Sequence, residues 1–331
     1  MALKIAINGF GRIGRCVARI IDTRDDVELV CVNDTAQREM TRQLFKYDSV
    51  HGTFNDNVEV LDDDYMQVGT SKVKMFSKRD PKELNFFDYG VDVVLECTGA
   101  FLTTEKAQAF IDNGIKKVIL SAPAKDDTPT FVIGVNEEKY ANQAIISNAS
   151  CTTNCLGPVA KLLDDTFGIE KGLMTTVHAY TNGQSLIDSK GRDPRRARAA
   201  AVNIIPTTTG AAKAIGLVLP QLQGRLHGQS VRVPVPNVSM VDLNVLVKKE
   251  TSIEEINALF EEKSKGELKG ILGFDIDKRV SQDFQGSSYS SFVASDLTQV
   301  ICGNMVKVMS WYDNEWGYSS RLIDMALYVS K

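Results

Sequence analysis

The chain reads as an α/β protein of two domains, a first half built on a doubly wound parallel sheet and an α+β second half with a mainly antiparallel sheet. Three observations predict this. Up to about residue 150, short β-branched strands alternate with helical stretches, the pattern of a parallel sheet covered on both faces. Beyond that point long β-rich runs follow one another with the helices set apart from them, an α+β texture. The 331 residues also suit about two domains of roughly 150 residues each.

Leu3–Ile7 is a short apolar strand, and the stretch Arg12–Asp22 sets Ile13, Val17, Ile20 and Ile21 at helical spacing. Val27–Val32 is a second strand. The stretch 58–76 has the look of hairpin strands inserted into the alternation. Val91–Glu96, Val118–Leu120 and Ile145–Ile146 are further apolar runs, with a helix over Thr104–Asn113 between two of them. A helix starts near Cys151 and runs through Leu163. Strands follow over Gly172–Thr181, Ser230–Val235 and Val238–Lys249, interrupted by a loop at 182–202 rich in Arg, Gly and Ala. Ser252 and Glu255 form a capping box that opens a helix to about Lys263. A strand at Met305–Tyr312 precedes a last amphipathic helix carrying Leu322, Met325, Ala326 and Val329.

Composition narrows the function classes. Hydrophobic residues at 43% and charged residues at 24% are those of a globular chain, which excludes a disordered or collagenous one. The net charge of -4 gives no global basic field, so neither nucleic acid nor an anionic membrane is an expected partner. The longest uncharged run, Tyr140–Ala160, is full of Asn, Ser and Thr and does not read as a membrane span. The N-terminus lacks the basic and apolar regions of a signal peptide, so a cytoplasmic protein is expected. The six cysteines form no CxxC pair and read as reduced thiols. His51, His178 and His227 show no paired spacing, so no metal is expected.

Gly9-Phe10-Gly11-Arg12-Ile13-Gly14 fits the pattern GxGxxG. By itself that is weak. Here it follows a strand, opens a helix, and stands 20 residues before Asp34 at the end of the next strand, the full context of a Rossmann fingerprint. The glycines allow close backbone approach to a pyrophosphate, and the helix start offers free N–H donors. Asp34 suits the ribose hydroxyls of an adenosine and repels a 2′-phosphate.

Ser150-Cys151-Thr152-Thr153-Asn154-Cys155 places Cys151 at a helix start, where the dipole and free amides favour a thiolate. Cys155, one turn on, would be buried and less reactive. His178 lies near a strand end, where it can be aimed at a neighbouring thiol as a base. Spacing alone leaves open the alternative of a buried cysteine and a histidine satisfied within its strand. Lys190, Arg192, Arg195, Arg196 and Arg198 concentrate positive charge in one loop of an acidic protein, and Arg232 stands in the apolar run Val231–Pro234. An arginine there needs an anionic partner or a route to water. Thr207-Thr208-Thr209-Gly210 leads into the helical run Ala211–Leu217. A small phosphorylated substrate could use all of these; an intersubunit ion-pair loop with ordinary caps reads the same way.

Taken together, INGFGRIGR, SNASCTTNCL, TTVHAYTN, RRARAAAVNIIPTTTGAAKAIG, VRVPVPNVSMVDL and SWYDNEWGYS closely resemble the phosphorylating glyceraldehyde-3-phosphate dehydrogenases, in order and spacing over the whole chain. The resemblance implies Cys151 as nucleophile toward glyceraldehyde 3-phosphate and His178 as its base. Hydride would pass to the nicotinamide of NAD, and inorganic phosphate would release 1,3-bisphosphoglycerate from a thioester. It implies Arg12, Ile13, Asp34, Arg79 and Ser121 beside the dinucleotide, with Asn314 at the carboxamide. Thr181 and Arg232 would bind substrate phosphate, and Ser150, Thr152, Arg195, Thr209 and Gly210 would cradle the attacking phosphate. It also implies a homotetramer, in which the 182–202 loop reaches a neighbouring subunit's cofactor. Residues 1–150 would form the dinucleotide-binding domain, completed by a C-terminal helix over 314–331, and residues 151–313 the catalytic and tetramerisation domain. Many strictly NAD-dependent members carry Leu-Pro where this chain has Ser189-Lys190, and Thr35 after Asp34 is common in NADP-accepting relatives, so measurable use of NADP is expected beside NAD. Erythrose-4-phosphate dehydrogenase, which shares the scaffold, is the alternative reading.

Overall fold

The computed structural model describes residues 2–191 and 193–331; Arg192, one of the basic-loop residues named above, lies outside them. Its contacts divide the chain into two units, Met1–Phe131 with Glu138–Ala149 and Ser319–Lys331, and Val132–Glu137 with Ser150–Tyr318. Residues 132–137 and 314–318 thus belong with the second unit, and the last helix spans Trp316–Val329 rather than 314–331.

In the first unit the strands are β1 (Leu3–Asn8), β2 (Val27–Asn33), β3 (Tyr47–Asp48), β4 (Gly52–Thr53), β5 (Val58–Val60), β6 (Tyr65–Val68), β7 (Ser71–Phe76), β8 (Val93–Glu96), β9 (Lys117–Leu120) and β10 (Ile145–Ser147). The helices are α1 (Arg12–Ile21), α2 (Arg38–Lys46) and α3 (Thr104–Asp112). One sheet runs β10-β9-β8-β1-β2-β7-β6-β5. Its first six strands are parallel, and β6 and β5 close one edge antiparallel. The stretch 58–76 is therefore a hairpin whose last strand, β7, also joins the parallel sheet beside β2. From β1 the chain first winds outward through β2 to β7, then returns to β8 on the other side. That reversal opens a crevice at the carboxyl ends of β1 and β8, the usual ligand position in such sheets. Ile5, Ala6, Ile7, Val93, Val94 and Leu95 are fully buried, as strands covered on both faces must be.

In the second unit α4 (Cys151–Phe167) leads to β11 (Ile169–Ala179), β12 (Ile205–Thr208), α5 (Ala211–Val218), β13 (Leu226–Val233) and β14 (Ser239–Val247). Then come α6 (Ile253–Lys265), β15 (Leu272–Asp275), β16 (Ser291–Ala294), β17 (Gln299–Ile301) and β18 (Met305–Tyr312); the last helix, α7 (Trp316–Val329), belongs to the first unit from Ser319 onward. The sheet order is β12-β13-β11-β14-β18-β16-β15, with β17 also on β18. Pairings are antiparallel except β11–β13 and β15–β16. The Ser252–Glu255 capping box forms as expected and starts α6. Register sets His178 beside Arg232 and Thr176 beside Ser230, so these residues share one face of the sheet. Among the described residues no helix is long and apolar enough to cross a membrane.

Candidate active site

The glycine turn falls between β1 and α1. Gly9 has φ +97°, and a side chain there would meet the Thr98 backbone at 2.7 Å; at Gly14 a Cβ would lie 2.3 Å from the Gly9 carbonyl oxygen. Packing forbids side chains at both. At Gly11 nothing lies within 4 Å, so that position is open toward solvent. The start of α1 has no side-chain cap and no acidic residue in its first turn, which leaves amides and the positive end of the helix dipole for an anion. Both oxygens of Asp34 are held, Oδ2 by the Phe10 amide at 2.9 Å and Oδ1 by the Ala36 amide at 2.8 Å. Asp34 is thus fixed with its charge at the end of β2. Arg12 is paired with Asp48 at 2.6 Å, Ile13 is half-buried on α1, Arg79 is exposed, and Ser121 follows β9. These residues fit a dinucleotide on chemical grounds: bare amides and an open glycine for the pyrophosphate, a fixed carboxylate for ribose hydroxyls.

In the second unit, Cys151 is the first residue of α4, and its Sγ lies 3.7 Å from His178 Nε2. Ser150 caps the helix, its hydroxyl accepting from the Thr153 amide at 3.1 Å. His178 is buried at the end of β11. Its Nδ1 is 2.7 Å from the Ala179 carbonyl oxygen and 2.7 Å from Arg232 Nη1, which itself donates to that carbonyl at 2.9 Å. Burial and the Arg232 charge push the imidazole down to about 3, so the ring is neutral near pH 7. Burial also pushes the Cys151 thiol upward, against Arg232 and the Thr152 amide and hydroxyl, which favour the thiolate. The helix start alone does not make a resting thiolate here: desolvation outweighs it. The pair stands as a thiol facing a neutral ring. Cys155 is buried against Ser291 and Ser310, and burial raises its thiol to about 12.

Arg232 has no carboxylate partner among the described residues. A mostly buried guanidinium without a counter-anion, beside a thiol and an imidazole, is suited to an anionic ligand. Thr152 is buried, and its hydroxyl shares a hydrogen bond with the Tyr312 hydroxyl at 2.8 Å, which also meets Thr176 at 2.8 Å. Thr181 is exposed, with its amide donating to Gln184 at 3.3 Å. Thr209 Oγ1 accepts from the Ala211 amide at the start of α5, beside the exposed Gly210. Arg195 is exposed, whereas the next residue, Arg196, acts electrostatically on both His178 and Arg232 and is held by Thr207 at 2.9 Å. Asn314 is buried, with Oδ1 accepting from Ser239 at 2.7 Å. Of the residues expected from the sequence, then, Cys151, His178 and Arg232 are brought into contact. Tyr312 and Ser239 were missed, because they support the site through contacts that no local motif encodes; Arg196 was named only within the basic loop, one residue from the Arg195 that the resemblance singled out.

A parallel sheet with a dinucleotide-type glycine turn, in a chain whose other unit sets a thiol against an imidazole and an unmatched arginine, marks a dinucleotide-dependent enzyme class. Family comparison narrows the class. Residues 3–104 match the family described as glyceraldehyde 3-phosphate dehydrogenase, NAD binding domain, and residues 150–314 the corresponding C-terminal domain. Glyceraldehyde-3-phosphate dehydrogenase 1 of Bacillus cereus is 51% identical over 329 residues, covering 99% of this chain and 98% of that protein. The Geobacillus stearothermophilus glyceraldehyde-3-phosphate dehydrogenase is 51% identical over 332 residues, 100% of this chain and 99% of the relative. Glyceraldehyde-3-phosphate dehydrogenase B, chloroplastic, of Pisum sativum is 52% identical over 334 residues, 99% of this chain and 74% of the relative. The chain belongs to the glyceraldehyde-3-phosphate dehydrogenase family.

Proposed function

We propose that this protein oxidises and phosphorylates D-glyceraldehyde 3-phosphate to 1,3-bisphosphoglycerate through a thioester on Cys151. The observation that carries the reading is Cys151 Sγ 3.7 Å from His178 Nε2, with the Arg232 guanidinium beside the ring and without a counter-anion. The base role requires the tautomer in which Nδ1 donates to the Ala179 carbonyl and Nε2 keeps its lone pair for the thiol; in that tautomer Arg232 Nη1 donates to the same carbonyl and not to the ring. As Sγ bonds to the aldehyde carbon, Nε2 takes the thiol proton and passes it to the new alkoxide, giving a hemithioacetal. Nε2 withdraws that hydroxyl proton again as the carbon loses hydride, and the product on Cys151 is a thioester. NAD, when bound, supplies the hydride acceptor. A phosphate oxygen then attacks the thioester carbon, and the Cys151 sulfur leaves as the thiolate that closes the cycle.

Arg232 and Thr181 hold the substrate phosphate; Ser150, Thr152, Thr209 and Gly210 hold the attacking one, with Arg196 contributing more than the exposed Arg195. Gly9, Gly11, Gly14, Arg12, Ile13, Asp34, Arg79 and Ser121 hold the dinucleotide, and Asn314, oriented by Ser239, takes the carboxamide. Residues 1–150 with the C-terminal helix serve the dinucleotide, and 151–313 the chemistry. A homotetramer in the cytoplasm is part of this reading. Its support is apolar exposure in the arginine-rich loop and just after it: Leu186, Ile187, Val202 and Ile204 are 70–81% exposed in one chain, more than an isolated surface is expected to leave in one patch. Initial rates with glyceraldehyde 3-phosphate, with and without phosphate and with NAD or NADP, test the proposal. Phosphate-dependent reduction of NAD is expected. Phosphate-independent oxidation, or a higher kcat/KM for erythrose 4-phosphate, would overturn it.

A further inference from the structure

Glu96, the last residue of β8, is fully buried, yet the reaction above gives it no task. Its oxygens receive only donors. Asn8 Nδ2 donates to Oε2 at 2.5 Å, the Thr98 amide donates to Oε1 at 2.8 Å, and the Thr98 hydroxyl and the Gly99 amide also bind it. Asn8 Oδ1 in turn accepts from Asn33 Nδ2 at 2.7 Å. Asn33 ends on backbone: its Oδ1 accepts from the Lys78 amide at 2.9 Å, and its Nδ2 donates to the Lys78 carbonyl at 2.9 Å. This chain of bonds crosses the ends of β2, β1 and β8, spanning the reversal in strand order. Every group it touches adjoins a residue of the dinucleotide cradle: Lys78 precedes Arg79, Asn33 precedes Asp34, and Asn8 precedes Gly9. Thr98 is the residue against which Gly9 packs.

The polarity of the chain is fixed at both ends. Lys78 dictates which way the Asn33 amide points, because flipping it would set donor against donor and acceptor against acceptor. Asn33 then dictates Asn8, and Asn8 must present an N–H to residue 96. At its other end residue 96 must accept from the Thr98 amide. Only a side chain that accepts at both oxygens satisfies the two demands. Glutamine has the shape of Glu96 but carries a donor on one side, and no amide flip along the chain can absorb it.

We propose that Glu96 is a positioning residue, the common acceptor that holds the Lys78–Asn33–Asn8 relay and the Thr98 loop in the register a dinucleotide requires. This rests on the reading of the glycine turn and Asp34 as the dinucleotide cradle. In the full-length protein, Glu96→Gln should raise the Kd and KM for NAD about tenfold, the effect of a buried donor left without a partner. The kcat at saturating NAD and the rate of Cys151 alkylation without NAD should stay unchanged. Moving the charge one step back restores every bond: in Asn8→Asp/Glu96→Gln, the new carboxylate accepts from Asn33 and from Gln Nε2, so NAD affinity should return. Asn8→Asp alone sets two carboxylates face to face and should bind NAD poorly. Without NAD, amide exchange at both Thr98 and Lys78 should quicken in Glu96→Gln and recover in the double variant. Wild-type NAD affinity in Glu96→Gln overturns the proposal, as does a double variant no better than Glu96→Gln or exchange that quickens at Thr98 alone. A weakened Asp34→Ala beside an unaffected Glu96→Gln defeats the relay only. If neither variant changes the Kd, it is the cradle reading that fails.

Discussion

The glycine turn and the thiol site are built on opposite plans. The turn is made of backbone, six consecutive residues that offer amides and, at three glycines, no side chain, with one carboxylate at the end of the next strand. The thiol site is made of side chains from separate elements, with His178 27 residues from Cys151 and Arg232 54 residues from His178. His178 is buried and Cys151 and Arg232 are only partly exposed, and burial shifts each of them. A backbone site loses affinity by degrees as its surroundings change. A desolvated side-chain site loses its chemistry when one member goes, because the remaining members act as a unit.

The sharpest break of this contrast is Cys151→Ser. It should lower the dehydrogenase rate on the order of 10³-fold or more while the Kd for NAD, measured by calorimetry, stays near wild type. Cys155→Ser should keep much of the rate, since Cys155 only packs against Ser291 and Ser310. Substantial turnover in Cys151→Ser would remove the covalent route.

Next in size is His178→Asn. Loss of a general base costs about 10²–10⁴-fold, and the loss should shrink at alkaline pH, where the raised Cys151 thiol ionises without help. A pH–rate profile reads this directly, and a loss independent of pH would show His178 acting only by packing. Stability carries a second signature. The folded ring sits at about 3 instead of 6.5, so below pH 6.5 the unfolded chain takes up a proton that the folded chain refuses. This contribution is full above pH 6.5 and is lost as pH falls toward 3. In His178→Asn, denaturant midpoints should depend less on pH across that window.

How much of this was legible from the sequence divides along the same line. The glycine turn, Asp34 and the Ser252 capping box were readable because their partners lie close along the chain. β7 was seen only as part of a hairpin, because its parallel pairing with β2 is non-local. α2 left no clear trace, since only Thr41 and Phe45 of its nine residues are buried. In the thiol site, Cys151 at a helix start was readable, but its upward shift was not, because desolvation depends on what covers the sulfur. Tyr312 and Ser239 act across strands and have no motif. Arg196 differs from Arg195 only in which way the loop turns it. Glu96 could have been noticed as a carboxylate closing an apolar strand.

Arg232→Ala comes third. The lost charge-assisted contact should cost roughly 1.5–3 kcal/mol in kcat/KM for glyceraldehyde 3-phosphate, and far less for unphosphorylated glyceraldehyde. Arg232 holds the Cys151 thiol and the His178 ring lower than burial alone would leave them. Removing it should therefore move both upward and shift the pH–rate profile for the unphosphorylated aldehyde toward alkaline. Equal losses for the two aldehydes would make Arg232 structural and leave substrate phosphate to other groups.

The smallest effect is expected at Asp34, where the backbone site has its one essential side chain. Both carboxylate oxygens are held by amides, so Asp34 cannot swing away from a 2′-phosphate without losing two hydrogen bonds. Repulsion of NADP must instead be offset in place. Arg38 is suited to this. It feels the Asp34 charge, and its Nη1 donates to the Phe76 carbonyl that also accepts from the Asp34 amide. Thr35 adds an exposed hydroxyl beside it. Two unit charges about 4 Å apart repel by only about 1 kcal/mol in water and about 4 kcal/mol near a protein surface, within reach of one neighbouring cation. NADP should therefore support turnover, more slowly than NAD. Asp34→Ala should shift the NADP-to-NAD ratio of kcat/KM upward by about fivefold, the size of the lost repulsion at the solvent-screened end of that range. Arg38→Ala should lower the same ratio. Steady-state rates with each cofactor at saturating aldehyde and phosphate measure it. If NADP gives no turnover in wild type and Arg38→Ala leaves NAD kinetics untouched, the Asp34 carboxylate alone sets the choice and the arginine has no part in it.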